Sequence, residues 1–213
     1  MRSETYQAAH DVLAIVRLLQ GPFQGVTLAE THLVAYLACL LSLYRGHAAD
    51  DWGYDFVRSQ WGAPFAVAVA EAVAPLQARG YLLGTGTTLT ATEPGATFSE
   101  FLGSRVEHEW RLPYLSGASG SVLALPVGVV RAALREEPSL RQANLHPGPR
   151  PLLAESGVDA LHEQFQALSE AIGMPVDDVL VPAVVWLTYL TEVRRGHPIE
   201  AGERDNVGSA PTQ

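Results

Sequence analysis

Residues 28–45 carry apolar side chains on nearly every side of a helix: Leu33, Val34, Tyr36, Leu37, Leu40, Leu41 and Leu43. A helix without a polar face lies at the centre of a core or against another subunit. Two further stretches, 65–78 and 176–195, come close to the same character. The second runs through Val179, Leu180, Val181, Val184, Val185, Trp186, Leu187, Tyr189 and Leu190. A chain of 213 residues encloses about one such helix completely. Three of them either cover one another in a single core or face a partner. Charged residues make up 17% of the chain, below the usual ~25%, which favours a partner: a homodimer or a larger complex.

The few charges are acidic on balance. The net charge is −9 and all 14 basic residues are arginines, so the chain as a whole does not attract phosphate backbones. The single cysteine, Cys39, excludes an internal disulfide and a cysteine zinc cage and fits a reducing cytoplasm. The first residues lack the apolar core of a signal peptide. The longest apolar run, 33–41, is far shorter than the ~20 residues that span a bilayer. A cytoplasmic protein without membrane contact is expected.

Ala9, Val12, Leu13, Val16 and Leu19 recur at helical spacing over 5–20, with Gln7, Asp11 and Arg17 off the stripe, and Gly21-Pro22 stops the helix. Residues 53–57 alternate as a short strand does. Residues 60–65 turn into a helix over 65–78, with Pro64 suited to its first turn and Gly80 to its C-terminal cap. Residues 81–83 and 87–90 read as strands around a tight turn at 84–86. Thr92, Glu93 and Pro94 open a helix over 93–103.

Within this order, Tyr54-x-Phe56, Trp61-Gly62-x-Pro64-Phe65, Leu76-x-x-Arg79-Gly80-Tyr81-Leu82 and Leu89-Thr90-x-x-x-x-Gly95 resemble the pattern of bacterial winged-helix proteins. The resemblance covers residues 30–103. It departs from that pattern in the extra Ala63 between glycine and proline and in a wider spacing from Leu89-Thr90 to Gly95. It implies a mainly α fold: a winged-helix module with a small β-wing over 1–103, followed by an α-helical C-terminal segment. It also implies membership of a bacterial assembly, such as the middle component of a three-component ABC or SMC-like ATPase defence system.

Beyond the module, 105–110 extend the preceding helix and 116–121, rich in Gly and Ser, read as a flexible loop. Residues 122–136 form a helix and 139–144 one more turn. The run 146–151, with three prolines, reads as a rigid linker and a boundary. Ser156 and Asp159 suggest a capped helix ending at Gly173, with Val158, Leu161, Phe165, Leu168 and Ile172 on one stripe. Pro175, Asp177 and Asp178 open the last helix, which Pro182 kinks or divides. The segment 104–197 is helical, and 198–213 reads as a disordered tail.

The chemistry expected of this chain is contact, not catalysis. A recognition helix exposes cations or amides to DNA, but 65–78 offers only Glu71 and Gln77, with Arg79 just beyond its end. Residues 50–103 hold six acids and two arginines, and the wing at 83–88 holds no arginine. Glu107, His108 and Glu109 point about 100° apart on a helix and cannot share one ion. They, Asp50, Asp51 and Asp55, and His162-Glu163 read as solvated surface. Cys39 sits where burial makes a thiol inert, and no Gly-x-Ser-x-Gly elbow follows a strand. The expectation is a non-enzymatic adaptor without metal or cofactor, whose partner is an SMC-like or ABC ATPase subunit or a second copy. Its interface residues are Phe65, Val67, Val69, Glu71, Val73, Trp186 and Tyr189. The alternative is a dimeric winged-helix transcriptional regulator that touches DNA with Arg58, Gln77 and Arg79.

Overall fold

The computed structural model describes residues 3–85, 87–173 and 178–196. In chain order it contains α1 (Ser3–Gln20), β1 (Val26–Thr27), α2 (Leu28–Tyr44), a 3-10 turn (Ala49–Trp52), β2 (Val57–Arg58), β3 (Pro64–Phe65), α3 (Val67–Ala78), β4 (Leu82–Thr85), β5 (Thr88–Ala91), α4 (Glu93–Gly103), α5 (Val106–Glu109), α6 (Leu112–Ala124), α7 (Val127–Leu134), α8 (Pro138–Asn144), β6 (Arg150–Pro151), α9 (Glu155–Ile172) and α10 (Leu180–Gly196). The fold is mainly helical, with two small antiparallel sheets of order β1-β5-β4 and β3-β2-β6.

The apolar helix α2 is the axis. Every residue from Thr31 to Leu43 is buried, and the cover comes from this chain: α6 and α1 pack along it, with β3, α3 and the 3-10 turn beside them. Thr27 and Glu30 set its start in a reciprocal capping box, the Thr27 hydroxyl accepting from the Glu30 N–H at 3.2 Å and Glu30 Oε2 accepting from the Thr27 N–H at 2.8 Å. One continuous hydrophobic core runs from Ala8 in α1 to Leu190 in α10.

The hairpin β4–β5 joins α3 to α4 through a close backbone approach. Thr92 Oγ1 accepts from the Gly95 N–H at 3.0 Å and donates to the Gly80 carbonyl at 2.6 Å. A Cβ at position 95 would lie 2.0 Å from the Tyr81 carbonyl oxygen, so only glycine lets α4 begin against the strand.

Several local expectations change. Residues 116–121 are not a loop but the middle of α6, with Gly117, Ala118, Ser119 and Ser121 buried. Small residues there let α10 approach: a Cβ on Gly117 would meet Val179 Cγ2 at 2.4 Å. The strand expected at 53–57 is confined to β2, because Gly53 closes the 3-10 turn in the left-handed region (φ 81°). Pro64 lies in β3 rather than in a helical turn. β3 is an edge strand, where a missing N–H is tolerated, and α3 starts two residues later than expected. Residues 150–151, expected as linker, pair with β2 as its third strand. Residues 106–109 form a separate turn of helix, not an extension of α4. Helix α9 begins at Glu155 after Ala154, so Ser156 is inside it rather than at its cap. Helix α10 begins at Leu180, whose N–H donates to Asp178 Oδ1 at 2.6 Å. Pro182 therefore falls in its first turn, where no backbone donor is required. Pro175, Asp177 and the tail lie outside the described residues.

Candidate functional site

The outer face of α3 is where the sequence reading put the contact chemistry. Val67 is 56% exposed. Glu71, Ala74 and Gln77 are exposed along the same helix, with Arg79 at its end. Ala68, Val69, Ala72 and Leu76 form the inner row, which packs chiefly on α1. Val69 is thus a core residue of this chain, not a surface one. Val73 is half-buried, and Phe65, also half-buried, leans on the His32 ring at 4.5 Å. In α10, Trp186 is buried against Phe165 and donates to Gln164 Oε1 at 3.2 Å, so it too serves the core. Tyr189 is 53% exposed, and Val181, Val185 and Tyr189 form an outward stripe at one-turn spacing. Helix α10 packs on α6, α7 and α9.

The DNA candidates differ in availability. Arg58 is engaged: its Nε donates to Asn144 Oδ1 at 2.6 Å and its NH1 to the Gly148 carbonyl at 2.9 Å, tying β2 to the end of α8. Gln77 and Arg79 are exposed.

Sequence reasoning missed a buried polar knot between α1 and α6. Asp11 is fully buried and accepts hydrogen bonds from Arg111 Nε at 2.9 Å, from a second Arg111 nitrogen, from the Tyr54 hydroxyl at 2.7 Å and from His10 Nδ1 at 3.0 Å. The Arg111 guanidinium, itself fully buried, donates to the Trp52 carbonyl at 2.7 Å and lies 3.9 Å from the Trp52 ring centroid. Burial alone would raise the Asp11 carboxyl. The Arg111 charge and the hydrogen bonds from His10 and Arg111 outweigh it and hold the pKa at about 2. The knot continues into α5: His10 stacks on His108 with ring centroids 4.6 Å apart. His108, expected as solvated, is 8% exposed. Burial, then the neighbouring His10, lowers its pKa. Glu107 and Glu109 do remain on the surface, as do Asp50, Asp51 and Asp55. No local signal marks Asp11 or Arg111, because the pair is a hundred residues apart in the chain.

A second buried carboxylate, Glu137, caps α8. Its oxygens accept from the Ser139 N–H at 2.9 Å, from the Leu140 N–H, and from the Tyr36 hydroxyl at 2.8 Å. Burial raises its pKa to about 7 in spite of these donors. Cys39 lies in the centre of α2, and burial pushes its thiol up, away from nucleophilic use. Among the described residues no three metal-ligating side chains converge, and no single helix is long and apolar enough to cross a membrane.

Comparison with known proteins finds no matching family model, no matching curated protein and no matching solved structure.

Proposed function

We propose that this chain is a non-enzymatic accessory subunit that uses a winged-helix module, residues 1–103, to contact protein rather than DNA. The winged-helix reading is supported by the order of helices, by the hairpin that follows α3, and by the three-stranded order β1-β5-β4. A connection spanning 45–66, with its own 3-10 turn and hairpin, separates α2 from α3 in place of a short turn.

The observation that carries the proposal is the chemistry of the outer face of α3. It presents Val67, Glu71, Ala74 and Gln77, with Leu83 of the neighbouring hairpin 58% exposed and Arg79 as the one cation at its end. Non-specific duplex affinity comes mainly from neutralised phosphates, and this face has little to neutralise them with. A face with apolar side chains and so little positive charge suits a protein surface. The stripe of Val181, Val185 and Tyr189 supplies a second contact. The bacterial assembly and its ATPase partner rest on the sequence resemblance alone.

A dimeric DNA-binding regulator is the second reading, favoured by the exposure of Gln77 and Arg79 at the end of α3. Two measurements on the purified chain separate them. Fluorescence anisotropy with duplex DNA across a salt series is expected to show no tight binding; tight binding that weakens steeply with salt overturns the proposal. Cross-linking to the products of neighbouring genes is expected to be lost in Val67→Glu while the variant melts like the wild type. Unchanged cross-linking would remove α3 from the interface.

A further inference from the structure

The His108 end of the polar knot borders a cavity of about 140 Å³ between α1, α3, α4 and α5, with Tyr81 at the approach to β4. Its walls are apolar and aromatic. Tyr81 stacks on Phe98 with centroids 4.4 Å apart, and Leu76 and Leu102 face the same space. An apolar cavity of about 150 Å³ accepts a benzene-sized guest, so the volume suits a single ring.

Two polar residues, His108 and Arg79, also line this cavity. His108 lines it and is more than nine-tenths buried, yet its Nδ1 has no hydrogen-bond partner. Arg79 lines the same cavity, is exposed to solvent, and has no carboxylate partner among the described residues; its guanidinium makes one long hydrogen bond there, 3.3 Å, to the Pro75 carbonyl. An unpaired guanidinium at the rim of an apolar cavity selects for an anion with an apolar body.

We propose that this cavity binds a monocyclic aromatic carboxylic acid, with its ring against Tyr81, Phe98, Leu76 and Leu102 and its carboxylate on Arg79. The site shares with the outer face of α3 only Arg79, at its end, so a ligand could be carried by an adaptor or by a regulator alike.

Benzoate is the probe. Titrated into the isotope-labelled wild-type chain, it is expected to bind saturably, with shifts centred on the methyl groups of Leu76 and Leu102 and the ring protons of His108. Acetate, which lacks the ring, and benzyl alcohol, which lacks the charge, are expected to bind at least about fivefold more weakly, the equivalent of about 1 kcal/mol. Arg79→Gln, at an exposed position, is expected to keep the fold and weaken benzoate by about fivefold. Leu102→Trp, which fills the cavity, is expected to abolish the shifts; if that variant does not fold, the wild-type shift map locates the site without it. Absence of saturable benzoate binding overturns the proposal. So do shifts that fall elsewhere on the molecule, or Arg79→Gln binding benzoate as the wild type does.

Discussion

Among the described residues two carboxylates are fully buried, and their surroundings drive them in opposite directions. Asp11, between α1 and α6, faces a guanidinium; its pKa falls to about 2. Glu137, at the start of α8, faces a phenol and two backbone N–H groups; its pKa rises to about 7. Both are rich in hydrogen bonds. The difference is a full opposite charge within hydrogen-bonding distance, which neutral donors do not replace once water is gone. The lesson concerns what each group does for the fold: the first is a fixed ion pair, the second a group that exchanges its proton near neutral pH.

The largest test removes the countercharge. Arg111→Met leaves Asp11 buried without compensation and is expected to cost about 3–5 kcal/mol in urea unfolding at neutral pH. Adding Asp11→Asn to it should recover a good part of that loss; a double variant as unstable as the sum of the two single ones would mean that the groups do not act as a pair.

Next in size is a pH effect in which the buried Glu137 and the buried His32 oppose one another. The folded pKa of Glu137 exceeds the unfolded value near 4.5, so its protonated form favours the native state. That contribution is complete below the unfolded pKa and is lost as pH rises through about 7, a loss of about 3 kcal/mol. Asp11 works the other way: its folded pKa is depressed, so its contribution is present above about 4 and fades as the pH falls through about 2. Burial holds the pKa of the His32 ring down to about 4, so its contribution grows as pH rises through the range in which that of Glu137 is lost. Glu137→Gln is expected to remove the opposing Glu137 contribution, tilt the profile upward with pH between the two Glu137 values, and leave the acid limb unchanged. A profile that keeps its slope there assigns the slope to another group.

Smaller still is the comparison of the two phenols. Tyr54→Phe removes one of several donors to Asp11 and is expected to cost about 1 kcal/mol at any pH above the acid limb. Tyr36→Phe removes the only side-chain donor to Glu137 among the described residues. It should cost about 1–2 kcal/mol where Glu137 is ionised and less where it is protonated; equal costs at both pH values would refute the assignment. The smallest effect is expected on the surface, where Val67→Glu should change stability by no more than about 0.5 kcal/mol, whereas the buried Val69→Glu should unfold the chain.

The same division between local and distant causes separates what was legible from what was not. The stripe of Ala9, Val12, Leu13, Val16 and Leu19 and the caps at Thr92 and Gly173 are local patterns, and the helices they imply are present. The apolar character of α3 was legible too, but not which of its valines faces inward: Val67 and Val69 are two residues apart and differ completely in exposure. The candidate ligand cavity was not visible at all, since Arg79, Phe98 and His108 come from three elements. The Gly and Ser run of 116–121 misled because composition suggests flexibility where packing exploits the absence of side chains to bring α10 close.

By itself, then, the sequence determined a mainly helical protein around an apolar axis, α2, because helical periodicity and capping are decided within a few residues. Tertiary structure alone decided that α2 is enclosed by its own chain, that Trp186 belongs to the core, and that Asp11 meets Arg111. Those outcomes depend on which surfaces exclude water together, and that is a property of elements far apart in the chain.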